Sequence, residues 1–83
     1  MMGLRTREQL RGARAMLGWT QEQLARAAGL SLPTVKRLEP GSGGFGAVRV
    51  ETLEAVEAAL IRAGVEFQGG DGVRLRDRAT AGA

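Results

Sequence analysis

Apolar side chains recur at helical spacing in four runs of this chain and then give way to alternation near its end. Leu10, Ala13 and Leu17 share one face of a helix that starts near Thr6, where Thr6 and Gln9 have the spacing of a capping box. The stretch from Thr20 to Glu39, TQEQLARAAGLSLPTVKRLE, organises the rest of the chain. It reads as two short helices meeting at Gly29: Thr20 and Gln23 repeat the capping-box spacing, Ser31 caps the second helix, and glycine suits the left-handed conformation that ends the first. Leu24, Ala25, Ala28, Leu30, Val35 and Leu38 line the inside of this corner, and Gln21, Arg26, Thr34, Lys36 and Arg37 lie outside it.

A fourth helix is expected from about Glu51 to Ala63, with Leu53, Val56, Leu60 and Ile61 inward and Glu51, Glu54 and Glu57 on the opposite face. Three acids near its start suit the helix dipole and mark that face as turned away from a polyanion. Gly64 stops this helix, and VEFQ-GGDG-VRLR then alternates about a glycine-rich turn, the pattern of a β-hairpin over residues 64–77. Paired residues share a face, so Phe67 must lie opposite Val73 or Leu75, and Glu66 opposite Arg74 or Arg76. Two strands alone are marginal in water, so the apolar side needs cover from the fourth helix or from another subunit. Residues 1–5 carry no period and read as a flexible arm, with Arg5 and Arg7 in reach of a phosphate, and residues 78–83 as a frayed tail.

Between the third and fourth helices lies PGSGGFGAVR. Pro40 prevents the third helix from continuing, and the glycines after it make a loop. Gly41, Gly43 and Gly46 satisfy the letters of a G-x-G-x-x-G fingerprint, but that motif must follow a strand and open a helix, and this one follows a helix. Phe45 either folds back onto the core or belongs to a partner surface. Trp19, the single tryptophan, follows Gly18 at the end of the first helix and is read as core where the first two helices meet, its edge partly exposed.

Composition narrows the chemistry. Eighty-three residues make one small domain near the lower limit for folding unaided, so a partner subunit would help. There is no cysteine and no histidine, which excludes disulfides, Cys/His zinc sites and histidine acid-base catalysis; no enzyme activity, metal or cofactor is expected. No run of about 18 apolar residues is present and MMGLRTREQL lacks the core of a signal peptide, so a cytoplasmic protein without a membrane partner is expected. Net charge is +3 but uneven: residues 1–49 hold eight bases and three acids (8 − 3 = +5), and residues 50–83 hold four bases and six acids (4 − 6 = −2). The corner lies in the basic half, as a polyanion-binding face requires.

The corner resembles the helix-turn-helix of phage-repressor-like regulators, the XRE or Cro/C1-type family. Gln21 opens the motif, Ala25 sits where the helices cross, Gly29 is the turn glycine, Val35 and Leu38 are the buried pair and Glu39 closes it. The resemblance implies a mainly α, phage-repressor-like four-helix domain over residues 6–63, to which the hairpin at 64–77 is an addition and the best candidate for a dimer contact. It implies a regulator that binds double-stranded DNA, as a homodimer on an inverted repeat, with the recognition helix Ser31 to Glu39 in the major groove. It also gives a reason for Arg14 on the inward face of the first helix, where an unpaired charge would be expensive: family members commonly pair an arginine there with the glutamate ending the recognition helix, here Arg14 with Glu39.

By the same resemblance Gln21 holds a phosphate, Leu32, Pro33 and Arg37 fall where many members read bases, Thr34 and Lys36 assist, Ser31 opens the reading helix, and the loop amides with Arg49 approach the backbone. Leucine and proline cannot hydrogen-bond a base edge, though they can touch a thymine methyl, so direct readout rests on Arg37; for Leu32 and Pro33 a structural role stands equally. The competing reading is a protein-interaction module or an antitoxin component with weak DNA readout, supported by Leu32, Pro33 and an exposed Phe45.

Overall fold

The computed structural model describes residues 3–68 and 72–76; the expected tail at 78–83 and the tip of the hairpin turn lie outside them. Four helices, α1 (Arg7–Leu17), α2 (Gln21–Ala28), α3 (Leu32–Leu38) and α4 (Val50–Arg62), precede the antiparallel strands β1 (Val65–Phe67) and β2 (Val73–Leu75). Both capping boxes form. Thr6 accepts from the Gln9 amide and Thr20 from that of Gln23, and each glutamine side chain returns to the cap backbone.

Gly18 and Gly29 end α1 and α2 in the left-handed region, with φ of 68° and 69°. After α2 the Leu30 amide donates to the Ala25 carbonyl at 2.9 Å and that of Gly29 to Arg26 at 3.3 Å, a Schellman closure that turns the chain into α3 within three residues. Ser31 caps α3 by accepting from the Thr34 amide, and Pro33 sits in the first turn, where a missing N–H is harmless.

The core gathers Leu10 and Ala13 of α1, Leu24 and Ala25 of α2, Val35 and Leu38 of α3, and Val56 and Leu60 of α4, with Val65 from β1. Leu53 and Trp19 pack on it half-buried. Ile61 does not, being 42 % exposed, and Ala59 takes the inward place instead. Phe45 is 6 % exposed, so the loop aromatic folds onto the core, which settles the alternative left open by sequence.

The hairpin pairs Val65 with Leu75, Glu66 with Arg74 and Phe67 with Val73. Glu66 meets Arg74 at 2.8 Å and Arg76 at 3.8 Å, both pairs solvent-facing and of small energetic value. Its apolar face is covered from both sides, β1 by α4 and β2 by α1, so the cover comes from two helices of the same chain.

Three residues of the expected arm are tied down, Arg5 by its amide, which donates to Gln9 Oε1 at 2.5 Å. Leu4 is buried in the core, and the Gly3 and Leu4 amides donate to Glu57 Oε2 at 2.6 and 2.9 Å. Glu57 therefore does not simply face away with Glu51 and Glu54; it is half-buried and anchors the start of the chain to α4. Met1 and Met2 lie outside the described residues.

Candidate nucleic-acid interface

The α2–Gly29–α3 corner presents a seven-residue helix, and a helix this short does not stand on its own propensity. Its position is held from inside. Glu39, 3 % exposed, accepts from Arg14 Nε at 2.6 Å and Arg14 Nη2 at 3.0 Å, while Gln21 Nε2 donates to the same carboxylate at 3.0 Å. The remaining arm of Arg14, Nη1, donates to the Trp19 carbonyl at 2.8 Å. The fork geometry of guanidinium against carboxylate fixes direction as well as distance, so the ends of α1, α2 and α3 are locked to one another. The expected Arg14–Glu39 pair is present.

Gln21 is placed differently from its expected phosphate-holding role. Its side chain is turned inward to Glu39, because a buried carboxylate with spare lone pairs is a better partner than water. Its backbone N–H, at the first position of α2, has no intrahelical acceptor and is the part of Gln21 open to an anion.

The far end of α3 is closed by two other arginines. Glu39 has right-handed helical geometry and Pro40 follows, so no left-handed cap forms there. Arg7 Nη1 donates to the Leu38 carbonyl and at 3.4 Å to that of Arg37; Arg7 Nη2 reaches the Phe45 carbonyl at 3.3 Å, and the guanidinium stands 5.3 Å from the Phe45 ring centroid. Arg11 Nη1 donates to the Glu39 carbonyl and to that of Gly41, the latter at 2.7 Å. The Arg7 amide meets the Gly43 carbonyl at 2.8 Å, and Glu8 accepts from the Gly43 amide at 2.9 Å. That bond, the Glu8 backbone and the nearby charge of Arg11 hold the Glu8 carboxyl below its ordinary range.

Arg7, expected near a phosphate, is thus committed to carbonyls. The sequence does carry a signal for this clasp, since residues 7, 11 and 14 follow one helical stripe of arginines beside the buried Leu10.

The outer surface of the corner is of another kind. Ser31, Pro33, Lys36 and Arg37 are exposed, Leu32 and Thr34 half-buried, and Arg49 is exposed at the start of α4. The Thr34 hydroxyl is 2.8 Å from that of Ser31, so its hydrogen bonding is partly used at the cap. Among the described residues the side chains of Lys36, Arg37 and Arg49 enter no hydrogen bond or ion pair, which leaves three cations free for an outside anion. No group of acids able to hold a metal ion occurs among the described residues, and no helix among them is long and apolar enough to cross a membrane.

A family model described as helix-turn-helix matches residues 10–62, from Leu10 within α1 to the last residue of α4, and stops short of the hairpin. No curated protein and no solved structure matches the chain.

Proposed function

The chain belongs to the XRE-type, Cro/C1-like helix-turn-helix family, and from that premise we propose that it is a transcriptional regulator reading double-stranded DNA with α3 in the major groove. The observation that carries this reading is the division of labour at the corner. Arg14, Gln21, Arg7 and Arg11 hold α3 from within, and Lys36 and Arg37 are left outside without partners among the described residues. In such motifs the second helix enters the groove while the first lies across the backbone.

Arg37 would face guanine, the commonest specific contact of an arginine, with Lys36 and Thr34 beside it and Leu32 and Pro33 against a thymine methyl. Arg49 and the Gln21 backbone amide are assigned to phosphates, which position the helix without reading sequence. A homodimer would bind an inverted repeat whose half-sites lie about 34 Å apart. Since α1 and α4 already cover the apolar face of the hairpin, its strand edges, which pair with no third strand among the described residues, are the part proposed for the dimer contact.

The competing reading, a protein-interaction module, drew on Leu32, Pro33 and an exposed Phe45, and the last of these is buried. Selection of bound sequences from a random duplex pool tests the proposal. Enrichment of an inverted repeat is expected; with about six phosphates neutralised, log affinity should fall against log salt with a slope near −5. Arg37→Ala should cost about 1–3 kcal/mol and relax one base per half-site. A pool that yields no enriched sequence refutes the reading.

A further inference from the structure

A seven-residue helix leaves its last carbonyls without intrahelical donors, and the usual remedy, a left-handed glycine cap, is absent after α3. Here the donors come from another element. The carbonyls of Arg37, Leu38 and Glu39 all accept from α1, through Arg7 and Arg11, and the same two side chains continue to Gly41 and Phe45 in the loop. The Gly43 amide and carbonyl are also taken by α1, through Glu8 and the Arg7 backbone. The end of α3 carrying Lys36 and Arg37 is therefore aimed by the first two turns of α1.

We propose that Arg11, with Arg7, is a positioning residue for DNA reading: it caps α3 from α1 and sets the angle at which Arg37 and Lys36 meet the base edges. This rests on the DNA-reading function proposed above. Arg37 makes a fixed fork with a base only if the helix axis is fixed, because a bidentate contact tolerates little rotation. Contacts to phosphates are more forgiving, since they depend on charge at a given distance. Loss of the clasp should accordingly harm discrimination between sequences more than binding as such.

The test uses Arg11→Met, which keeps the side-chain stem and removes the donors, and Arg11→Lys, whose ammonium can replace the single nitrogen that serves both carbonyls. Far-UV circular dichroism and a thermal melt establish that each variant is folded at the assay temperature. Affinity is then measured for the duplex the unaltered protein selects from a random pool and for a scrambled duplex of the same composition, over a series of salt concentrations. For Arg11→Met, affinity for the selected duplex should fall about tenfold, the scale of one good base contact, with the scrambled duplex and the salt slope unchanged. Arg11→Lys should recover most of the discrimination.

An equal fall on both duplexes with a shallower salt slope would make Arg11 a phosphate contact, and an unchanged ratio would remove any positioning role; either overturns the proposal. If Arg11→Met melts below the assay temperature, Arg7→Lys, which keeps charge but loses the fork, carries the same comparison. An unaltered protein that prefers no duplex overturns the DNA-reading function itself, and that outcome is seen before any variant is made.

Discussion

Replacing Glu39 by alanine removes the one group on which three elements converge, and its effect can be worked from the contacts. Glu39 is 3 % exposed and accepts two bonds from Arg14 and one from Gln21. The alanine variant leaves the Arg14 fork without its anion and the Gln21 amide without an acceptor. Breaking a buried pair by removing one partner costs about 3–5 kcal/mol, mostly through the charge left behind. The Arg14 side chain is 24 % exposed and keeps its bond to the Trp19 carbonyl at 2.8 Å, so water can reach part of it and the lower end, about 3 kcal/mol, applies.

For a domain of this size about 1 kcal/mol moves the melting midpoint by roughly 4–8 °C, which puts the expected fall at about 12–24 °C. That loss is a large share of the roughly 4–12 kcal/mol that about 0.05–0.15 kcal/mol per residue allows. Urea unfolding and thermal melts measure it, and the double variant Arg14→Met/Glu39→Leu supplies the control. Removing both charges should leave the protein closer to the unaltered one than either single change does. A Glu39→Ala melt within about 2 °C of the original, or a coupling energy under about 0.5 kcal/mol between the two sites, would refute the assigned role.

Three further outcomes are expected. Gly12 lies inside α1 with its nearest added-methyl neighbour, Val73 Cγ2, at an ordinary 3.6 Å, so Gly12→Ala should stabilise by about 0.5–1 kcal/mol in urea unfolding. Gly3 has no such room: an added Cβ would stand 2.6 Å from Phe67 Cβ, and Gly3→Ala should destabilise by about 1–3 kcal/mol, seen as a lower thermal midpoint. Glu8 has its carboxyl held below the ordinary value of 4.5, first by the Gly43 amide. A depressed folded pKa means that the stabilisation is present above the unfolded value and lost as pH falls through the folded one. The melting difference between the unaltered protein and Glu8→Gln should therefore be constant near neutral pH and shrink progressively below about pH 4.5; a difference independent of pH across that window would exclude the assignment.

The parts of this molecule that were legible in its sequence are those governed by local rules. The capping boxes at Thr6 and Thr20, the turn at Gly29, the stop at Pro40 and the hairpin follow from spacing of a few residues, and each appears where spacing put it; of the two hairpin registers that spacing left open, the structure has Phe67 opposite Val73. The Arg14–Glu39 pair spans 25 residues and was reached only through likeness to a family. The parts that escaped are long-range hydrogen bonds, most of them between a side chain and a backbone group, which leave no period to detect. Glu57 looks like one more outward acid of α4 until the Gly3 and Leu4 amides are seen on it. Gln21 reads as an outward polar residue, and only the buried position of Glu39 explains why it turns in. Arg7 and Arg11 share a stripe of α1 with Arg14, but that spacing carries no sign that the carbonyls they serve lie about 30 positions away.

Glu39, Arg14 and Gln21, which hold α3 from within, are not among the exposed side chains proposed to meet a base. Pro33, Lys36 and Arg37 are exposed, and exposed positions away from caps and cores change stability by only about 0.5 kcal/mol in either direction. Exchanges at these three positions can therefore change binding preference at little cost in stability, with the Arg14–Glu39 pair and the α1 clasp left in place. A duplicated copy of such a gene can exchange its outward residues and acquire a new target without first gathering compensating mutations, which eases the divergence of paralogues from one scaffold.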